Sequence, residues 1–75
     1  MLNESKEIKY DEVWAVDAER IKTFFREHGG EAEVLSLPER KIGLLTVPQT
    51  RVIITGEDAE EIHRQFILTF LSAGG

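Results

Sequence analysis

Two histidines are the side chains of this sequence best suited to acid–base or metal chemistry near neutral pH. His28 and His63 are far apart in the chain, and neither belongs to an HExxH-type spacing that places two ligands on one helix face. The chain has no cysteine, which excludes disulfides and thiolate-bound metals. We therefore expect neither histidine to be catalytic or to hold a metal ion.

Four carboxylates form the other chemically notable group: Glu57, Asp58, Glu60 and Glu61. Their spacing is not that of a calcium-binding loop. They fit the first turn of a helix, where the helix dipole favours negative charge. The sequence also has no nucleophile elbow, no P-loop and no dinucleotide-binding motif. It thus predicts a protein that is not an enzyme and binds no cofactor.

Length and charge bound the class of protein. Seventy-five residues make a single domain, 1–75, in which the polar residues 1–6 are expected to be a loose tail. The net charge of −5 argues against nucleic acid or an anionic membrane as the main partner. The longest apolar run, residues 66–68, is far too short to cross a bilayer. Because a chain without cysteine fits a reducing compartment, we expect a cytoplasmic protein without membrane contacts.

Two stretches have helical periodicity. The first begins at Asp17, whose carboxylate is a suitable N-cap, and its apolar stripe ends before Gly29 and Gly30. The second runs to about Ala73 and starts at Thr55, which with the acidic residue three positions later resembles a capping box. Both patterns predict helices with one face against a core.

Strand signals fill the rest of the chain. Residues 7–16 alternate in polarity, which favours a strand, although the stretch also fits an extension of the first helix. Three short apolar segments follow that helix: residues 31–37, 41–47 and 51–55. Turns beginning at Pro38 and Pro48 separate them. We expect an α+β domain with a three- to four-stranded antiparallel sheet and two helices, in the order (β)-α-β-β-β-α.

Two family resemblances suggest alternative functions. The order of elements resembles the double-stranded RNA-binding domain, which implies RNA recognition by a basic cluster at the start of the last helix; this chain is acidic there, so charge disfavours a nucleic-acid-binding domain of αβββα order. The C-terminus resembles the tail of ubiquitin-like sulfur carriers, which implies a Gly74-Gly75 carboxylate that is adenylated and then thiocarboxylated. In that family the tail follows a strand, whereas here it follows an expected helix. The two glycines also fit a simple helix stop.

The chain has more apolar surface than a small monomer readily hides. The last helix carries an apolar stripe and further apolar residues outside it, so its apolar arc is too wide for one sheet to cover. The strands place apolar residues on both sheet faces, although a sheet with helices on one side should have a polar second face. Eight residues form the expected interface: Leu35, Leu37, Leu45, Val47, Ile53, Ile67, Leu68 and Leu71.

Any one of three segments or molecules would cover this apolar surface: the chain's own residues 7–16, a second copy of the chain, or a different protein. Twofold dimers are the commonest soluble oligomers. The sequence therefore predicts a small acidic protein–protein interaction module without catalytic activity, which forms a homodimer or binds another protein.

Overall fold

The computed structural model describes residues 7–74, and it places side chains as far as Leu71. Five elements follow in the order β-α-β-β-α: β1 (Ile8–Trp14), α1 (Ala18–His28), β2 (Glu31–Ile42), β3 (Leu45–Thr55) and α2 (Ala59–Gly74). The strands form one antiparallel sheet in the order β1-β3-β2, and both helices pack on the same face. The predicted α+β fold is confirmed, and the tail predicted at residues 1–6 lies outside the described residues.

One long hairpin replaces the three short strands and two proline turns predicted after α1. Its turn lies at Gly43, whose φ of 62° is favoured by glycine. The register shifts at Pro38 and Glu39, which together oppose Pro48. Neither proline ends a strand, because both lie at this bulge, where the ladder is already interrupted. The sequence therefore predicted one strand too many between the helices.

Residues 7–16 contribute the edge strand β1 and do not extend α1. β1 pairs antiparallel with β3, from Ile8 opposite Thr55 to Trp14 opposite Thr50. Residues 45–49 of β3 lie beyond this pairing and face β2 alone. The strand interpretation of this segment is confirmed.

α1 has the ends that its sequence predicts. One Asp17 carboxylate oxygen accepts a hydrogen bond from the Glu19 N–H at 3.3 Å, which satisfies an amide group at the open start of the helix. Gly29 follows the last turn with a φ of 83° and donates its N–H to the Phe25 carbonyl at 2.9 Å. Both the predicted N-cap and the predicted helix stop are confirmed.

α2 begins later than its sequence predicts. Thr55 is the last residue of β3 and pairs with Ile8 on one side and Glu31 on the other, so it is not the N-cap. The Asp58 carbonyl accepts the Ile62 N–H at 2.9 Å, which starts the helix after Asp58. The capping-box prediction was wrong because sheet pairing on both sides holds Thr55, and tertiary context overrides a local signal.

The core lies between the helices and the sheet face that they cover. Phe66 of α2 is completely buried in a cluster with Val52 and Ile54 of β3. Thr50 is buried beside them, and its hydroxyl donates to the Val16 carbonyl at 2.6 Å, as a buried polar group requires. The core stripe of α2 contains Ala59, Ile62, Phe66 and Phe70, and the side chain of Ala73 lies outside the described set.

Candidate interaction surface

The sheet has one face that the helices cover and another, here called the open face, that they do not. Along β3, the side chains of Thr50, Val52 and Ile54 point to the helices and are at most 1% exposed. Side chains alternate between the faces of a strand, so residues 45, 47, 49, 51 and 53 belong to the open face. Their directly paired residues on β1 and β2 share that face.

Five of the eight predicted interface residues lie on the open face: Leu35, Leu37, Leu45, Val47 and Ile53. The structure adds Ile8, Val13 and Ile42, whose side chains are all exposed. Ile42 directly opposes Leu45, so the two share a face. A continuous strand over 41–47 would have placed them on opposite faces, and the turn at Gly43 reverses that relation.

No element within residues 7–74 covers the open face. Ile53 is buried, whereas Leu45 is 68% exposed. Of the three covers considered, the chain's own residues 7–16 do not lie over this face, because they form β1, extend the sheet sideways and add Val13 to the same surface. The Trp14 ring points instead to the helices and meets Phe66 edge to face, with centroids 4.9 Å apart.

An ion pair crosses the open face from β1 to β3. Arg51 donates from Nε and Nη2 to the two carboxylate oxygens of Asp11, at 2.9 and 2.6 Å. These hydrogen bonds hold the pKa of the Asp11 carboxyl below its usual value. They also raise the pKa of Arg51, to which the nearby Glu33 carboxylate adds a smaller effect. The pair is bidentate and therefore fixes the orientation of both side chains.

Charges on the open face separate along the strands. Asp11 and Glu33 flank Ile53 on the two neighbouring strands, at the end of the face near α2. Arg40 lies towards the other end, in the hairpin beyond β1. Its side chain has no ion pair or hydrogen bond with any residue that the structure describes. One end of the open face is thus acidic and the other is basic, with Arg51 between them.

Residues 37–49 form a two-stranded extension of the sheet, here called the arm. β1 ends opposite Thr50, so β2 and β3 pair only with each other beyond that point. At about 3.4 Å per residue, the arm extends roughly 17 Å past β1. Leu44 at its tip is 103% exposed. A two-stranded hairpin is marginally stable in water, so contact with another surface would stabilise the arm.

The other three predicted interface residues lie on α2, across the sheet from the open face. Leu68 and Leu71 are exposed, and Ile67 is half-buried. Ile67 and Leu68 line a shallow groove beside Tyr10 of β1. The structure therefore divides the eight residues between two surfaces, the open face and this flank of α2.

A polar cluster that sequence reasoning missed joins β1 to α2. His63 Nε2 lies 3.0 Å from one Glu12 carboxylate oxygen, and the other oxygen accepts the Trp14 indole N–H at 2.9 Å. Tyr10 stacks on the His63 ring with centroids 3.7 Å apart. Alternation along β1 indicates that Tyr10, Glu12 and Trp14 share a face, but the contact with His63 depends on how α2 crosses the strand. The cluster positions the helix on the sheet.

The acidic residues near the start of α2 form no metal centre with their neighbours. Glu57 and Asp58 line a shallow groove at the end of the sheet. Among the residues from 7 to 74, no three His, Asp or Glu side chains are grouped as a metal ion would need. In the same part of the chain, no helix combines the length and apolarity needed to span a bilayer.

The residues behind the two family resemblances lie at opposite ends of α2. Glu60 and Glu61 occupy the first turn, as predicted, and keep that end acidic. Gly74 is the last residue of α2, so the chain approaches its C-terminus from a helix, and Gly75 lies outside the described residues. Sulfur transfer, and RNA binding, which the acidic charge disfavours, stay alternatives that the two resemblances imply.

Comparison with known proteins finds no relative: no family model, no curated protein and no solved structure matches this chain. The function must therefore be inferred from the surfaces themselves. The open face unites most of the predicted interface residues and continues into the arm. It is the surface on which a function can be argued furthest.

Proposed function

We propose that the chain is a small acidic interaction module without catalytic activity, which forms a homodimer through its open face. The observation that carries this proposal is the group of five predicted interface residues on a sheet face that residues 7–74 leave uncovered. A twofold contact between two copies covers the same face of each copy at once. The absence of cysteine fits a cytoplasmic setting for such a module.

Apolar burial supplies the free energy for this association. Val13, Ile42 and Leu45 are each more than half exposed on one copy, and a symmetric interface would bury both sets. Burial of a fully exposed aliphatic side chain contributes about 1.5–3 kcal/mol. Six side chains, three from each copy, that each lose about half of their surface therefore contribute on the order of 5–10 kcal/mol. Association costs roughly 4–15 kcal/mol in lost translational and rotational freedom, so the rest of the interface must add to this burial. Leu35, which is 37% exposed, and the half-buried Leu37 add to the favourable side.

Substitution of two leucines of similar exposure tests whether the dimer forms through the open face or through the flank of α2. Leu45 is 68% exposed and Leu71 is 63% exposed, so lysine at either position leaves the core intact. We expect Leu45→Lys to raise the dimer dissociation constant at least about tenfold, which is a loss of about 1.4 kcal/mol. Leu71→Lys is the matched control and should leave it unchanged. Sedimentation velocity over a dilution series measures both.

The opposite pattern would contradict the choice of surface. A dimer that Leu71→Lys dissociates and Leu45→Lys does not would place the contact on the flank of α2. Circular dichroism of both variants confirms that the fold is kept. A parent chain that stays monomeric would remove the homodimer itself.

A further inference from the structure

We infer that the two copies pack their open faces antiparallel, about a twofold axis that lies between the sheets and crosses β3 at Thr50. The inference rests on the proposed homodimer and adds its geometry. Two sheets that pack face to face lie about 10 Å apart with strand directions within about 30° of each other. What remains to be determined is the relative direction of the strands in the two copies and their register. The side chains of the open face favour one direction and one register.

A twofold axis parallel to β3 sets like charges against each other. That rotation places each open-face residue of β3 over the same residue of the second copy, and β1 over the second copy's β2. Arg51 then lies over the partner's Arg51, and Asp11 lies over the partner's Glu33, because both acidic residues flank Ile53. Like charges opposed across an interface weaken it. The charge pattern therefore disfavours this arrangement.

A twofold axis perpendicular to the strands brings together residues that suit each other. With the axis at Thr50, residue 51 of β3 meets residue 49 of the second copy, and residue 53 meets residue 47. Their neighbours on β2 follow the same exchange. Near the axis, the resulting contacts are Leu35 with the partner's Leu37, Val47 with the partner's Ile53, Arg51 with the partner's Gln49, and Arg40 with the partner's Glu33. At the two ends of the face, Leu45 meets the partner's Thr55 and Ile42 meets the partner's Glu31.

Neighbouring registers lose this match. An axis at Arg51 places its guanidinium over the partner's Arg51. An axis at Gln49 places Arg40 over the partner's Leu35. The first is a like-charge contact. The second takes Arg40 away from the partner's Glu33 and buries its charge against an aliphatic side chain close to the axis. The two sheets cross at an angle of roughly 30°. At about 10 Å from the axis, this angle moves facing residues sideways by about one strand spacing. An arginine side chain spans that distance.

The arrangement also gives the arm a partner. Residues 45–49 of each copy lie over residues 51–55 of the other, where the sheet has three strands and the helices support it from behind. The dimer is then a four-layer α/β/β/α assembly. Its two sheets form the inner layers, and the exposed aliphatic residues of both arms lie in the middle.

A distance between the arm tips tests the strand direction. The chain has no cysteine, so Leu44→Cys accepts a single nitroxide label at a fully exposed turn. In the proposed dimer the tips point away from each other, and at about 3.4 Å per residue they lie roughly 40 Å apart. In the arrangement with a parallel axis the tips lie over each other, about 10 Å apart. Pulsed electron–electron double resonance of the labelled dimer distinguishes the longer tip distance from the shorter one.

Charge exchange tests the register. Arg40→Glu and Glu33→Arg should each raise the dimer dissociation constant at least about tenfold, because each homodimer then holds two like-charge contacts. An equimolar mixture should recover the affinity of the parent, since both contacts of the heterodimer are again between unlike charges. Recovery in a mixture cannot come from repair within one chain, where Glu33 lies near Arg51. Lys41→Glu is the matched control, because Lys41 pairs with Thr46 on the covered face.

The outcomes separate this geometry from the homodimer on which it rests. A tip distance near 40 Å and recovery in the mixture support the inference. A stable dimer with tips about 10 Å apart, or with no recovery on mixing, overturns the geometry and leaves the homodimer standing. A parent chain that sediments as a monomer overturns both.

Discussion

Asp11 and Arg51 join the edge strand to the central strand through two charge-assisted hydrogen bonds on the open face. On the covered face, β1 is held to α2 by the stacking of Tyr10 on His63 and by the hydrogen bond between His63 and the Glu12 carboxylate. The ion pair is partly exposed, so solvent screens it, and its main effect is to fix register and orientation. These side-chain contacts add to the backbone pairing with β3 that holds β1 in the sheet.

The Asp11 pair predicts a specific acid sensitivity. Because the pKa of Asp11 is lowered by folding, its contribution to stability is complete above the unfolded pKa of about 3.9. The contribution is lost as pH falls through the folded pKa. We therefore expect Asp11→Asn to be less stable than the parent at pH 7, and the difference to shrink below about pH 4. Urea unfolding at fixed protein concentration from pH 7 to pH 3 measures this.

A matched substitution isolates the effect of the pair from that of net charge. Glu39→Gln removes the same charge from an exposed carboxylate that has no side-chain partner among the described residues. It should show no comparable difference from the parent at pH 7. If the difference between Asp11→Asn and the parent is constant down to pH 3, the ion pair is not its cause.

Among the elements, the β2–β3 hairpin divides into a part that builds the core and a part that does not. Val52 and Ile54 lie where the sheet has three strands, and they pack under both helices. The arm, residues 37–49, contributes no residue to the described core cluster. Its apolar side chains point to the open face or to solvent. We therefore expect the arm to matter less for folding than for the proposed association.

Shortening the arm tests that division. Leu37 and Gln49 are directly paired, so replacing residues 38–48 with Asn-Gly closes the hairpin with a two-residue turn. We expect a folded monomer with the helical content of the parent and a normal cooperative melt. Circular dichroism and sedimentation velocity measure the two properties. A shortened chain that still forms dimers would show that the arm is not part of the interface, and an unfolded chain would show that it supports the core.

Local signals predicted the elements better than the contacts between them. The ends of α1 followed from Asp17 and Gly29, because capping depends on residues within one turn. Pro38 and Pro48 misled, because a proline at a bulge and a proline in a turn look alike until the opposing strand is known. The His63–Glu12 contact joins residues far apart in the chain, and no pattern in the sequence predicts it.

The candidate surface was predicted in part for the same reason. Alternation along the strands correctly grouped Leu35 with Leu37, and Leu45 with Val47. It does not show that Leu68 and Leu71 lie on the other side of the sheet, because that depends on the face against which α2 packs. Sequence alone therefore combined two separate surfaces into one.

For the whole molecule, the size of the core is the main constraint. A domain of this length buries only about 60% of the surface that its unfolded chain exposes. The chain has no cysteine, so no disulfide reinforces the core. Its helices cover one face of the sheet and leave the other apolar. A second copy on the open face would give each sheet a second covered side.

Sedimentation equilibrium of the unmodified chain, from about 1 to 100 μM, tests this account most directly. We predict an average mass that approaches twice the 8.5 kDa of the chain at the upper end and falls on dilution as one monomer–dimer equilibrium. A mass of 8.5 kDa over the whole range would contradict it.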